Sequence, residues 1–258
     1  MRRLALDHIT AVDASPTRVI ELARATGCDA VCLFLASMPV LPTMPPFDCI
    51  ADLDLRKAVK QALADNGVGL DLAYPFTLTG RTDVTSLAPA LDCARALGAG
   101  LVNVLHYDRD PARRVDTFGR FCDLARTFGL NVAVEFYPPS QIGSLPAALD
   151  LVARIDRPGE VGINADLLHL MRSGGTLAEL AAAPYGTILY AQIADGSIDP
   201  PIDREHEASA QRMLAGNGAF DIAGFVRALP LQCPISVEIP REPCAPADAV
   251  ASVRAVLA

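Results

Sequence analysis

Four oxygen-bearing residues in the second half of the chain each interrupt the end of an apolar run: Glu135 in "VAVEFYP", Asp166 in "INADLLH", Gln192 in "AQIAD" and Glu238 in "SVEIP". An ionisable acid at the far end of a β-rich segment is costly to bury alone, so it is paired, bound to a cation, or exposed at the strand tip. Three carboxylates brought together repel one another and hold their protons more tightly unless a cation sits among them. Carboxylate and amide oxygens suit a hard divalent ion, Mg²⁺ or Mn²⁺, and a neutral His nearby widens the choice to Co²⁺ or Zn²⁺. A bound ion of this kind stabilises the enolate formed when a proton beside a carbonyl is removed.

Whether these residues meet depends on the elements that carry them. Eight short apolar runs, 4–9, 30–35, 68–73, 101–106, 130–136, 160–165, 187–194 and 234–239, read as strands. Segments of helical periodicity separate them, such as "PTRVIELARATG" and "DLRKAVKQALADNG", each closing on a Gly stop. Continuously apolar strands that alternate with helices predict a parallel sheet covered on its outside. Eight units in 258 residues average about 32 each, against roughly 250 residues for a typical (β/α)₈ barrel. The doubly wound alternative lacks its glycine fingerprint, because "LDHITAVDASP" after the first strand contains no GxGxxG. The expectation is therefore an α/β chain folded as one (β/α)₈ TIM barrel domain over residues 1–258. In such a barrel the C-terminal strand ends converge on one mouth, and Glu135, Asp166, Gln192 and Glu238 come from four consecutive strands. His106 and His8, which end strands four and one, are added as candidate substrate contacts. Two long connections, 36–49 and 195–221, are expected over the same face.

Composition narrows the class of partner. A net charge of −8 argues against a nucleic-acid grip, which needs clustered Lys and Arg, and fits a small polar substrate instead. Seven cysteines, an odd number with no CxxC pair, read as buried thiols in a reducing compartment. The opening "MRRLALDHIT" reaches Asp7 and His8 too soon for a secretory signal, and no apolar run approaches the roughly 18 residues of a membrane span. A cytoplasmic protein with no membrane partner is expected.

The stretches "VAVEFYP", "NADLLH", "AQIAD", "RMLAGNG" and "SVEIP" resemble the xylose isomerase-like TIM barrels. That group holds sugar isomerases, keto-sugar 3-epimerases, inosose dehydratases, 3-dehydroshikimate dehydratases and endonuclease IV. The resemblance implies a metal site of Glu135, Asp166, Gln192 and Glu238, with His169 completing a DxxH motif. It implies Glu135 and Glu238 as the acid–base pair, His169 as a third catalytic residue, and Arg212 as a contact for an anionic oxygen. Such barrels often pair, so a homodimer is expected, although no stretch marks its interface. The implied activity is a metal-dependent isomerase or epimerase acting on a keto-sugar or polyol-derived substrate. The alternative is a lyase of the 3-dehydroshikimate dehydratase type, because Gln192 and Asp195 make a "QxxD" where epimerases usually carry His. The strand-five sequence Glu135-Phe136-Tyr137 departs from those dehydratases. A nuclease would need several metals, more His ligands and a basic groove.

Overall fold

In the computed structural model, which describes residues 2–258, eight parallel strands close into a barrel in sequence order. The strands are β1 (Leu4–Asp7), β2 (Ala30–Phe34), β3 (Gly69–Leu78), β4 (Leu101–His106), β5 (Asn131–Glu135), β6 (Val161–Asp166), β7 (Ile188–Ile193) and β8 (Ile235–Val237). Each expected strand is present. β3 runs further than its apolar core suggests, and β8 is shorter, so that Glu238 lies just past its end. The first helices are α1 (Pro16–Ala25), α2 (Leu53–Asn66), α3 (Ala88–Leu97), α4 (Pro111–Thr127) and α5 (Leu145–Ile155). After them come α6 (Leu167–Arg172), α7 (Leu177–Ala181), α8 (Arg204–Ala210), α9 (Ile222–Ala228) and α10 (Pro246–Leu257).

Local chemistry explains the boundaries. Asp52 and Asp110 accept backbone N–H bonds at the starts of α2 and α4, and Gly67 and Gly98 end α2 and α3 in the left-handed conformation. The main apolar layer lies between the strands and the helix ring, where Ile20, Phe118, Phe121 and Phe225 are fully buried. Each such side chain contributes roughly 1.5–3 kcal/mol of transfer free energy. A second apolar cluster fills the lower barrel interior with Ala5, Ala30, Cys32, Leu72, Leu101, Ala133 and Tyr190. Alanines there admit the Tyr190 ring, whose hydroxyl lies 3.1 Å from the Cys32 Sγ. Gly162 lets β6 approach β7: a Cβ at that position would sit 2.3 Å from the Thr187 carbonyl oxygen.

All seven cysteines are free thiols, six of them buried. Among the described residues, no helix is long and apolar enough to cross a membrane.

Candidate metal centre and active site

Above the apolar plug, the barrel interior turns polar. Side chains on one face of a strand recur every second residue, so Asn164 and Asp166 on β6 project inward together, one layer apart. The lower polar layer is a hydrogen-bonded belt. Asp7 accepts from the Tyr74 hydroxyl and from the Gln192 Nε2 at 3.2 Å, and Ser236 Oγ lies 3.4 Å from the same carboxylate. Gln192 Oε1 accepts from Asn164 Nδ2 at 2.6 Å, which also lies 3.3 Å from Asn103 Oδ1. Asn103 Nδ2 in turn donates to Glu135 Oε2 at 2.5 Å. The belt therefore runs from β1 to β5 and ends on one oxygen of Glu135.

The upper layer carries the acids. Asp166 ends β6 and caps α6, its Oδ1 accepting the His169 backbone N–H at 2.8 Å. That bond accounts for the three-residue spacing, because a capping acid reaches the third residue of its helix and brings that side chain back beside it. His169 Nε2 then lies 3.3 Å from Glu135 Oε1, and the Tyr137 ring packs 4.8 Å from the imidazole. One atom each from Glu135, Asp166 and His169 falls within 4.8 Å of the others. Arg212 enters from the loop after β7. Its Nη1 donates to Asp166 Oδ2 at 2.5 Å, its Nη2 to Glu238 Oε1 at 3.4 Å, and its Nε to the Ala208 carbonyl at 3.0 Å.

Charge and burial oppose each other here. Burial pushes the Asp166 carboxyl up, but the Arg212 charge and His169 outweigh it and hold the group well below the usual carboxylate range. Burial raises Glu238 well above that range, with Arg212 opposing and Asp166, Asp7 and Glu135 adding to the rise. Asp7 is raised to about 6, chiefly by burial, against the bonds from Tyr74 and Gln192. Glu238 Oε2 is buried with no hydrogen-bond partner. The orphaned Glu238 oxygen, the Glu135 carboxylate and the His169 imidazole line one cavity, and with Asp166 beside Glu135 and His169 they form a donor set that fits a hard or borderline divalent cation.

Of the residues expected from sequence, the structure brings together Glu135, Asp166, His169, Arg212 and Glu238. Gln192 lies in the layer below, with its amide oxygen taken by Asn164, so His169 rather than Gln192 stands beside the acids. His8 and His106 do not line the cavity. His8 Nε2 lies 3.1 Å from the Ala14 carbonyl and its ring stacks on Phe47, while His106 bonds the Arg114 carbonyl at 3.1 Å through Nε2. Both imidazoles are fully buried and lowered to about 4 by that burial, consistent with neutral packing residues. Asp195 accepts the backbone N–H groups of Gly196, Gly216, Gly218 and Phe220, which folds the loop that delivers Arg212.

Several contributors were not singled out from the sequence. Asp7 ends the first strand as Glu135 ends the fifth, and Asn103 and Asn164 break apolar strands at inward positions, so period-two reading was the available signal. Arg172 had no local signal. It pairs with buried Glu207 at 2.5 Å and sits over Phe220 at 5.2 Å, tying α8 to the barrel mouth.

Comparison with solved structures places this fold among known barrels. A xylose isomerase-like TIM barrel/4-hydroxyphenylpyruvate dioxygenase fusion protein superposes with a TM-score of 0.80 at 22% identity, over 97% of this chain. The chain spans 42% of that protein's length. The probable 3-DHS dehydratase AsbF of Bacillus anthracis gives a TM-score of 0.79 at 15% identity, covering 100% of this chain and 99% of its own. A D-allulose 3-epimerase from Methylomonas sp. gives 0.73 at 18% identity, covering 99% and 96%. Likeness at these identities speaks to fold alone. No curated protein matches in sequence. The profile of the xylose isomerase-like TIM barrel matches residues 20–258, more than nine-tenths of the chain, and the chain belongs to that family.

Proposed function

We propose that the chain is a divalent-metal-dependent isomerase or epimerase that moves a proton beside the carbonyl of a small α-hydroxy ketone. The observation that carries this reading is the convergence of Glu135, Asp166 and His169, with Glu238 and its unpartnered Oε2 lining the same cavity. Glu135, Asp166 and Glu238 would hold the ion, and His169 is the neighbouring donor that completes the set. Mn²⁺ or Mg²⁺ suits the oxygens, and the imidazole admits Co²⁺ or Zn²⁺. When bound there, the ion stabilises negative charge developing on a carbonyl oxygen.

The protein's own groups divide the proton work. Asn103 fixes Glu135 Oε2 and leaves Oε1 to face His169 and the cavity, as a proton acceptor requires. Glu238, just past the end of β8, lines the same cavity and supplies the second carboxyl of the acid–base pair. Arg212, held by Asp166, orients the Glu238 carboxyl and balances part of the negative charge. α8, pinned by the Arg172–Glu207 pair, contributes Ala208 and Ser209 to the cavity wall and limits water entry.

A lyase of the 3-dehydroshikimate type shares the first proton transfer and then expels a β-hydroxyl, which Glu238 would protonate. The cavity's charge favours the first reading. Its lining cation is Arg212, already committed to two carboxylates, so a substrate carboxylate finds no free partner. The test is deuterium uptake at carbon from D₂O, followed by NMR for a panel of ketoses and dehydroshikimate with Mn²⁺, Mg²⁺ or chelator. Uptake that disappears with chelator and with Glu135→Gln or Glu238→Gln supports the assignment. Dehydroshikimate consumption with protocatechuate release would establish the lyase instead.

A further inference from the structure

We propose that the substrate carries an apolar body, an aryl or branched alkyl group, rather than the polyhydroxylated chain of a free sugar. This rests on the proton-transfer chemistry assigned above and names the class of ketone that undergoes it. The cavity, about 380 Å³, is two-sided. Its carboxylates, its imidazole and its guanidinium, from Glu135, Glu238, His169 and Arg212, all come from the second half of the barrel. The first half supplies Ile9, Phe34, Met38, Leu41, Pro75 and Leu105, a wall of carbon and one sulfur.

A hydroxyl buried without a partner costs roughly 1–3 kcal/mol in proteins. A keto-hexose presents a hydroxyl on nearly every carbon, and the polar side chains on the apolar side, Thr77 and Tyr107, are both exposed at the mouth. Several sugar hydroxyls would face hydrocarbon. An aryl or alkyl group meets the same wall with no unsatisfied atom.

The wall is also built to stay in place. Met38 and Leu41 come from the loop 36–49, which is closed by backbone bonds from Ser37 to Phe47, from Leu41 to Met38 and from Met44 to Leu41. Phe47 stacks on the buried His8 ring at 5.6 Å, and Phe34 meets that ring edge-on at 5.5 Å, so the loop is anchored to the end of β1. Met38 adds a thioether that adapts to aromatic rings.

The test is calorimetric binding to the full chain in Mg²⁺, comparing benzyl hydroxymethyl ketone with D-fructose, alongside deuterium uptake for both. The expected result is a preference of at least about tenfold for the aryl ketone, as burial of a ring against hydrocarbon implies. That preference should disappear in Leu105→Asn and in Met38→Gln. The second change lies on a half-buried loop residue and remains informative if the first fails to fold. Equal or tighter binding of D-fructose, no binding of the aryl ketone, or a preference that survives both replacements overturns the assignment. Aryl-ketone binding without deuterium uptake upholds the substrate class and removes the reaction, whereas uptake into D-fructose alone does the reverse.

Discussion

Arg212 places its guanidinium against the Asp166 carboxylate, with Nη1 2.5 Å from Oδ2, where both side chains are almost wholly buried. The same guanidinium reaches Glu238, so one fixed cation bridges two of the acids expected to share a mobile one. Removing one partner of a buried ion pair leaves an uncompensated charge, at about 3–5 kcal/mol. Arg212→Met should therefore lower urea-unfolding stability by that order when no divalent ion is present. Millimolar Mn²⁺ should restore more stability to the variant than it adds to the wild type, since the ion neutralises the same carboxylates.

Asn103 does not line the cavity, yet its amide fixes Glu135 Oε2. Groups that orient a metal-binding carboxylate typically change affinity by about 10–100-fold when lost. Asn103→Leu, close in volume, should weaken Mn²⁺ binding by that amount in calorimetry. An unchanged affinity would show that the belt beneath Glu135 has no part in positioning it.

Much of this architecture is legible in the amino-acid order because it rests on local signals. The eight strands announce themselves as apolar β-rich runs, whereas Asp166 and His169 are paired through the family resemblance and prove to be joined by a helix cap. Gln192 was legible only as a residue near a strand end. Its capture by Asn164 and Asp7 depends on partners 28 and 185 positions away, which no local pattern reports. His8 and His106 lie away from the cavity lining for a related reason: strand-end position says nothing of which way a ring turns, and both turn into packing. The pairing of Arg172 with Glu207 arises when α8 folds back on the barrel, a choice made by tertiary packing.

Asp195 holds the loop that delivers Arg212, and the loop's glycines are there for the contact. A Cβ on Gly218 would sit 2.2 Å from Asp195 Oδ1 and 2.5 Å from the Gly196 carbonyl. Asp195→Ala leaves four backbone N–H groups without that acceptor, and Gly218→Ala forces them away from it. Each variant should lose about 2–4 kcal/mol, with faster amide hydrogen exchange concentrated in residues 211–220. Protection equal to wild type in that segment would argue that the loop is held by its other contacts.

His106 gives a pH signature. Burial lowers its imidazole from 6.5 to about 4, so between those values the unfolded chain binds more protons than the folded one. Its contribution is complete above pH 6.5 and is lost as the pH falls toward 4. His8 acts in the same direction and Asp7, raised to about 6, in the opposite one, so the informative quantity is a difference. Relative to His106→Asn, the wild type should lose up to roughly 1.4 kcal/mol per pH unit across this window. Parallel stability–pH curves would contradict a depressed imidazole.

Titration of the metal-stripped chain with Mn²⁺, read by calorimetry and checked by elemental analysis, bears on the central claim most directly. Acids from neighbouring strands that share one cation predict a single ion per chain, with binding abolished by Asp166→Asn and sharply weakened by Glu135→Gln and Glu238→Gln. A chain that takes up no divalent ion, or binds it equally well after those replacements, would contradict the account.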